Sequence, residues 1–260
     1  MQTLGRAIKE RAQAGYLGLV PCIIPGFPDL DASLQITKFL DASEAVTALE
    51  FTLPAAQSFS DTANQTIIDA NRQASRFIAG RDLKMWLQTQ TANFIMFYRE
   101  AVDRVGFEPL AKQFTETCRG IALEWDEPEL QSYWDICHRA GIELIIGVNP
   151  EMTEEELTFF SQFILPEGIV YLSSARQAGG ERYPLQRIET CARSIKTRLP
   201  NTAIVAAQGI YTPADVRQMA AIAEIDAVVI GTGFFHAAQK GLPAIRAYLK
   251  TIEPELSRRV

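Results

Sequence analysis

Glu50 lies within Ala45-Val46-Thr47-Ala48-Leu49-Glu50-Phe51-Thr52-Leu53-Pro54, an apolar run that reads as a buried β-strand. Taking a carboxylate out of water is costly, so one placed in such a run needs partners or a use. A second carboxylate, Asp61, follows in the polar segment Gln57-Ser58-Phe59-Ser60-Asp61-Thr62. If that segment folds back over the strand end, two carboxyl groups in different environments face one cavity. Such a pair suits proton transfer in both directions. A glutamate satisfied by backbone N–H groups alone is the competing reading of this strand.

Other chemistries find fewer residues. No lysine ends a strand-like run, and Schiff-base aldol cleavage needs one there. The two histidines, His138 and His236, form no His-x-His or His/carboxylate pattern. Divalent-metal aldol or hydrolytic chemistry is therefore disfavoured, and neither a metal nor another cofactor is expected. His138 reads as a helix-surface residue, whereas His236, just past the last strand, is open to a site role. Cys22, Cys118, Cys137 and Cys191 lie far apart, without metal-ligand or redox spacing. With no secretion signal at the start of the sequence, this favours the cytoplasm. A net charge of -6 leaves no basic footprint for nucleic acid. The longest apolar runs are strand-length, so no membrane span is expected.

The elements that must position these residues recur along the chain. Eight apolar runs rich in β-branched and aromatic residues read as strands: Leu17–Ile24, Val46–Leu53, Asn93–Tyr98, Gly120–Trp125, Glu143–Val148, Ile169–Ser173, Ala203–Ala207 and Ala227–Ile230. Helix-length segments with three- and four-residue apolar spacing lie between them, Glu129–Ala140 among them. Thr212-Pro213-Ala214-Asp215 and Thr153-Glu154-Glu155-Glu156 are helix starts. Eight strand–helix units in 260 residues match a closed (β/α)8 TIM barrel, an α/β fold, and no composition break divides residues 1–260, which read as one domain. An additional N-terminal helix, Thr3–Ala14, is placed to plug the barrel's bottom. An open doubly wound sheet would carry a spaced-glycine loop after its first strand, and Ile24-Pro25-Gly26-Phe27-Pro28 is not one. Between the second and third strands, Arg72–Ala92 is expected to hold a helix interrupted at Gly80.

A barrel of this kind places its chemistry at the C-terminal ends of the strands. Those ends supply Glu50, Asp126, Asn149, Ser173, Ser174, Gln208, Gly209, Gly231 and Thr232, and Tyr171 lies within the sixth strand. Ala178-Gly179-Gly180, Gln208-Gly209-Ile210 and Gly231-Thr232-Gly233 follow strands six, seven and eight. Loops after the last two strands are the usual site of a phosphate cup, where backbone N–H groups meet an anion that side chains would obstruct.

Along nearly its whole length the chain resembles the tryptophan synthase α-subunit family. The likeness runs through Leu19-Val20-Pro21 with Pro25-Gly26, Leu49-Glu50-Phe51-Thr52-Leu53-Pro54, Asp61 at the family's second catalytic aspartate, Val170-Tyr171-Leu172-Ser173-Ser174, Gly209-Ile210 and Gly231-Thr232. The resemblance implies a (β/α)8 lyase that cleaves indole-3-glycerol phosphate to indole and glyceraldehyde 3-phosphate. On it, Glu50 would shuttle protons at the indole ring carbon and the glycerol hydroxyl. Asp61 would stabilise the positive indolenine nitrogen, and Tyr171 would help position the substrate. Gly180, Gly209, Gly231 and Thr232 would hold the phosphate. The chain departs from the family at Ala55–Ala63, Tyr98-Arg99-Glu100-Ala101, Leu123–Pro128 and Arg176–Gly180, and Gln208 replaces an aromatic residue. Much of that surface closes the family's active site and docks its β subunit, so the departures argue for a stand-alone enzyme. The alternatives are a divergent enzyme that makes or dephosphorylates an indole-glycerol phosphate, and a non-catalytic ligand-binding paralogue.

Overall fold

The computed structural model describes residues 3–56, 65–78, 82–123, 130–176 and 181–258. Its eight strands are β1 (Gly18–Ile23), β2 (Leu49–Thr52), β3 (Asn93–Phe97), β4 (Gly120–Leu123), β5 (Glu143–Val148), β6 (Ile169–Ser173), β7 (Ala203–Ala207) and β8 (Ala227–Ile230). All pair in parallel, in sequence order, and β8 returns to β1 through Gly18↔Ala227 to Pro21↔Ile230, so the sheet closes. The (β/α)8 barrel read from the sequence is the fold. Strands covered on one face by helices and on the other by the barrel core are buried at nearly every position, which is why each reads as a continuous apolar run rather than an alternating one.

The N-terminal helix, Leu4–Gln13, closes the bottom of the barrel. Thr3 caps it: its hydroxyl accepts from the Arg6 N–H at 3.2 Å and donates to the Glu167 carbonyl at 3.0 Å. Leu4 and Ile8 are buried, and Leu4 lies under Gly120 at the entrance to β4. The fit is tight. A Cβ on Gly5 would stand 2.2 Å from the Gly168 carbonyl oxygen, and a Cβ on Gly168 would stand 2.2 Å from Glu143 Oε1. Glycine at position 5 lets helix and strand entry meet backbone to backbone, and glycine at position 168 leaves room for the Glu143 carboxyl.

Other helix starts follow their sequence signals. Thr153 and Thr212 each form a capping box, with Glu156 and Asp215 as the reciprocal partners and Pro213 in the first turn of the second helix. The stretch before β3 departs from expectation. One helix begins earlier, at Gln65–Ile78, and a short second helix covers Lys84–Leu87, while Gly80 lies outside the described residues. Trp86 decides the second helix: it is 1% exposed and its indole N–H donates to Ser33 Oγ at 3.0 Å. A tertiary anchor of this kind overrides weak local propensity.

Gly5→Ala is expected to lower stability by about 2 kcal/mol or more, because backbone on both sides cannot give way as a side chain would. Denaturant unfolding checks this, and an unchanged midpoint would show that the helix is not seated against Gly168.

Candidate active site

Five strand residues escape full burial: Met96, Leu123, Gly147, Tyr171 and Ser173. All lie in the C-terminal halves of their strands, and all line one cavity of about 200 Å³. The open end of the barrel is thus the end where chemistry was expected. Glu50, Thr52, Cys22 and Tyr98 also line it, together with Gly209, Gly231 and Thr232.

Glu50 is 3% exposed. In a ring of eight strands β2 and β6 stand opposite each other, so Tyr171 and Glu50 face across the barrel. The tyrosine is long enough to span it, and its hydroxyl donates to Glu50 Oε2 at 3.0 Å. Cys22 is Glu50's register partner on β1, and its Sγ lies 3.4 Å from Thr52 Oγ1. Burial pushes the Glu50 carboxyl up to about 7, against the opposing pull of hydrogen bonds from Cys22 and Tyr171. Burial also raises the Tyr171 hydroxyl and the Cys22 thiol well above their ordinary values, and Glu50's charge adds to both. Both neighbours therefore stay protonated and serve as donors, and Glu50 alone of the three titrates near neutrality.

Glu143 shows what this environment adds. Burial raises its carboxyl to about 7 as well. Yet it sits at the entrance of β5, at the closed bottom, where Oε1 accepts from the Ile169 N–H at 2.6 Å. It lines no cavity found among the described residues. Glu143 is the backbone-satisfied glutamate that was one possible reading of Glu50; Glu50 instead meets side-chain donors at a cavity wall.

The ends of β7 and β8, between Tyr171's strand and β1, carry the glycines. Gly209 has φ +68°, and a Cβ there would lie 2.6 Å from Arg182 Cγ, so the position requires glycine. Gly231 does not: a Cβ would find ordinary contacts at 3.5 Å or more, on Phe235 and Cys22. Its place at the end of β8, not lack of room, brings it to the cavity. Gly233 is a packing glycine, with Tyr248 Oη 2.0 Å from where its Cβ would be. Asp61, Gly180 and Asp126 lie outside the described residues. His138 stacks on Trp134 with ring centroids 4.7 Å apart, away from the cavity. His236 is exposed, 3.3 Å from Thr66 Oγ1 at its Nε2, and lines a neighbouring surface hollow instead. Cys22 and Tyr98 were not picked out from sequence. Only strand register and closure bring them to Glu50's cavity, and a single sequence carries no sign of either.

Residues 8–254 match the tryptophan synthase alpha chain family. The chain belongs to that family. It is 26% identical to the tryptophan synthase alpha chain of a Picosynechococcus species, over 94% of this chain and 93% of that one. It is 24% identical to the alpha chain of an Antithamnion species, over 86% of each. Among solved structures, it resembles Mycobacterium tuberculosis tryptophan synthase with a TM-score of 0.82 at 21% identity, over 98% of both chains. The alpha chain of Legionella pneumophila gives 0.78 at 19% identity, covering 98% of this chain and 97% of that one. The structural likenesses bear on the fold. No described helix is long and apolar enough to cross a membrane.

The raised carboxyl of Glu50 has a consequence for stability. Its ordinary value is 4.5 and its folded value about 7. Between these the folded state binds more protons than the unfolded state, so Glu50's contribution to stability falls as pH rises through that window and stays low above it. Glu50→Gln removes this penalty. The variant is expected to be more stable than the native chain at pH 8, by up to about 3 kcal/mol, and to differ little from it at pH 4. Glu143 keeps its own slope in both proteins. Urea unfolding at the two pH values tests this, and a pH-independent difference would contradict the buried titration.

Proposed function

We propose that this chain is a carbon–carbon lyase that cleaves indole-3-glycerol phosphate to indole and glyceraldehyde 3-phosphate, with Glu50 as the acid–base group. One observation carries the reading: a carboxyl brought to about 7 by burial faces a cavity, held by the Tyr171 hydroxyl. A group poised there is populated in both protonation states near neutrality, as a residue that first gives and then takes a proton requires.

The reaction balances with one such group. Protonated Glu50 delivers its proton to the ring carbon that bears the side chain, leaving a cationic indolenine. Ionised Glu50 then removes the proton from the adjacent glycerol hydroxyl. The O–H electron pair forms the aldehyde C=O, the carbon–carbon bond breaks, and its electrons restore the neutral indole ring. Tyr171 orients the carboxyl throughout. Asp61, by its likeness to the family's second aspartate, is assigned to the cationic ring nitrogen. Gly209, Gly231 and Thr232, with Gly180 by the same likeness, are assigned to the phosphate, whose oxygens suit the backbone N–H groups of glycine-rich loops.

We further propose that the enzyme acts without a β subunit. Supporting this, Arg99 and Glu100 stand at the first turn of the helix Arg99–Val105, where the family has an Asn-Pro turn, and Glu100 pairs with Arg104 at 3.9 Å. Charges brought into a desolvated interface cost several kcal/mol unless a partner matches them.

Glu50→Gln keeps shape and hydrogen bonding but not the titrating proton. Turnover of indole-3-glycerol phosphate is expected to fall by roughly a hundredfold or more with the fold retained. Near-native turnover would remove Glu50 from the mechanism, and a product other than indole would replace the reaction assigned. For the second claim, turnover is measured with and without a tryptophan synthase β subunit, alongside co-elution. No complex and no more than about twofold activation are expected; stable co-elution with strong activation would restore an ordinary partnership.

A further inference from the structure

Gln208 is the one non-glycine residue described with a positive φ, at +68°. A glutamine in that region is strained and persists only where its surroundings impose it. Those surroundings are visible. The Ser174 hydroxyl donates to the Ala207 carbonyl at 2.9 Å and reaches the Gln208 carbonyl as well, while the Ser174 N–H donates to Ala207 at 2.7 Å. On the other side, Arg182 packs over Gly209 and pairs with Asp215 at 2.7 Å. Asp215 in turn accepts from the backbone N–H groups of Tyr211 and Thr212 at 3.2 and 2.8 Å. The turn after β7 is thus pinned from both flanks.

This clamp fixes a side chain that has no hydrogen-bond partner among the described residues. Gln208 is half-buried and lines the cavity, yet its carboxamide makes no hydrogen bond to any described residue. A half-buried amide facing a cavity can bond a polar group of a ligand in place of solvent. A carboxamide offers two donors and an acceptor, enough to hold a hydroxyl as donor and acceptor at once.

Position indicates which ligand atom it meets. Gln208 directly precedes Gly209, assigned to the phosphate. It follows Ala207, the register partner of Ser173, which lies two residues beyond Tyr171 on β6. Gln208 therefore stands beside the residue assigned to the phosphate and on the side of the cavity that carries Tyr171, next to the path assigned to a three-carbon chain between the two. We propose that Gln208 is a substrate-specificity residue that reads the hydroxyl on the central carbon of the glycerol phosphate chain. This rests on the anion and acid–base assignments of the preceding section. It makes the enzyme selective for hydroxylated over deoxygenated side chains through a strained residue of its own.

The probes are 3-(indol-3-yl)propyl phosphate and the same compound bearing a hydroxyl on its central carbon. Neither can be cleaved, because neither has a hydroxyl next to the ring. Calorimetric titration of the full chain is expected to show the hydroxylated compound binding about tenfold or more tighter, since its absence leaves the carboxamide unpaired. Gln208→Gly removes the side chain while easing the backbone, so the fold is kept. It is expected to bring the two affinities within about threefold of each other by weakening only the hydroxylated ligand. Gln208→Asn, which also tolerates a positive φ, shortens the reach and should lose most of the preference. A native protein without preference, or a Gln208→Gly variant that keeps it, overturns the inference. If the native protein binds neither compound, the indole-glycerol phosphate reading itself falls, and this inference with it.

Discussion

The hydrogen bond from Tyr171 to Glu50 joins opposite walls of the barrel, and the candidate site is built around it. It exists only because the sheet closes. Without β1–β8 pairing, β2 and β6 would lie four strands apart on an open surface, beyond the reach of any side chain. With closure, their inward positions converge, and a tyrosine bridges them. The bond also reconciles two demands on Glu50. Burial favours the neutral acid, whereas donors favour the carboxylate, and the balance falls near neutrality. An apolar partner at position 171 would leave burial less opposed, and a cationic one would pull the carboxyl toward permanent ionisation.

Stability and chemistry occupy opposite ends of the molecule. At the bottom, Gly5 lets the capping helix touch the strand entry at Gly168, and Glu143 spends its oxygen on a backbone N–H. At the top, strand residues stay partly uncovered, and donors meet at a cavity instead of a packed layer. The two buried glutamates carry similar raised values, so a perturbed pKa alone does not mark a site. What separates them is geometry: one faces backbone in a closed floor, the other faces hydroxyl and thiol donors beside space for a ligand.

The barrel was legible in the chain because its strands are buried on both faces and read as apolar runs, and because caps such as Thr153 and Thr212 mark helix starts. Glu50 stood out for the same reason, as a charge in a run that should hold none. Its partners did not. Cys22 and Tyr98 look like ordinary strand and strand-end residues, and only register brings them to the same cavity. The helix at Gln65–Ile78 begins earlier than its sequence suggests, since it is held from outside: Asn71 accepts the Ala55 N–H at 3.4 Å and donates to Tyr98 at 3.3 Å. Gly231 was read as a glycine that lets an anion reach the backbone; the protein around it leaves room for a Cβ, with contacts at 3.5 Å or more. Its backbone conformation and surroundings could not be inferred from residue type alone.

The departures from the family pattern gather in the stretches of sequence that follow β2, β3, β4 and β6 and at Gln208. Loops there can change while the walls keep their packing, because the barrel's stability rests on strand pairing and the closed floor. The polar cavity groups extend this logic inward. Cys22, Thr52 and Gln208 stand where a purely apolar lining would suit a flat aromatic ligand best. Each adds a donor or acceptor that an apolar ring cannot satisfy. Cys22 and Thr52 pair with each other at 3.4 Å, and on the proposed reading Gln208's counterpart is a hydroxyl of the ligand's polar arm. On the proposed reading, Glu50 serves the reacting end of that arm with proton transfer while Tyr171 orients it, and Gly209 and Gly231 receive the anionic end. On that reading a polar group between them, Gln208, sets how the arm is held, which is where one member of a family can differ from another without changing its fold.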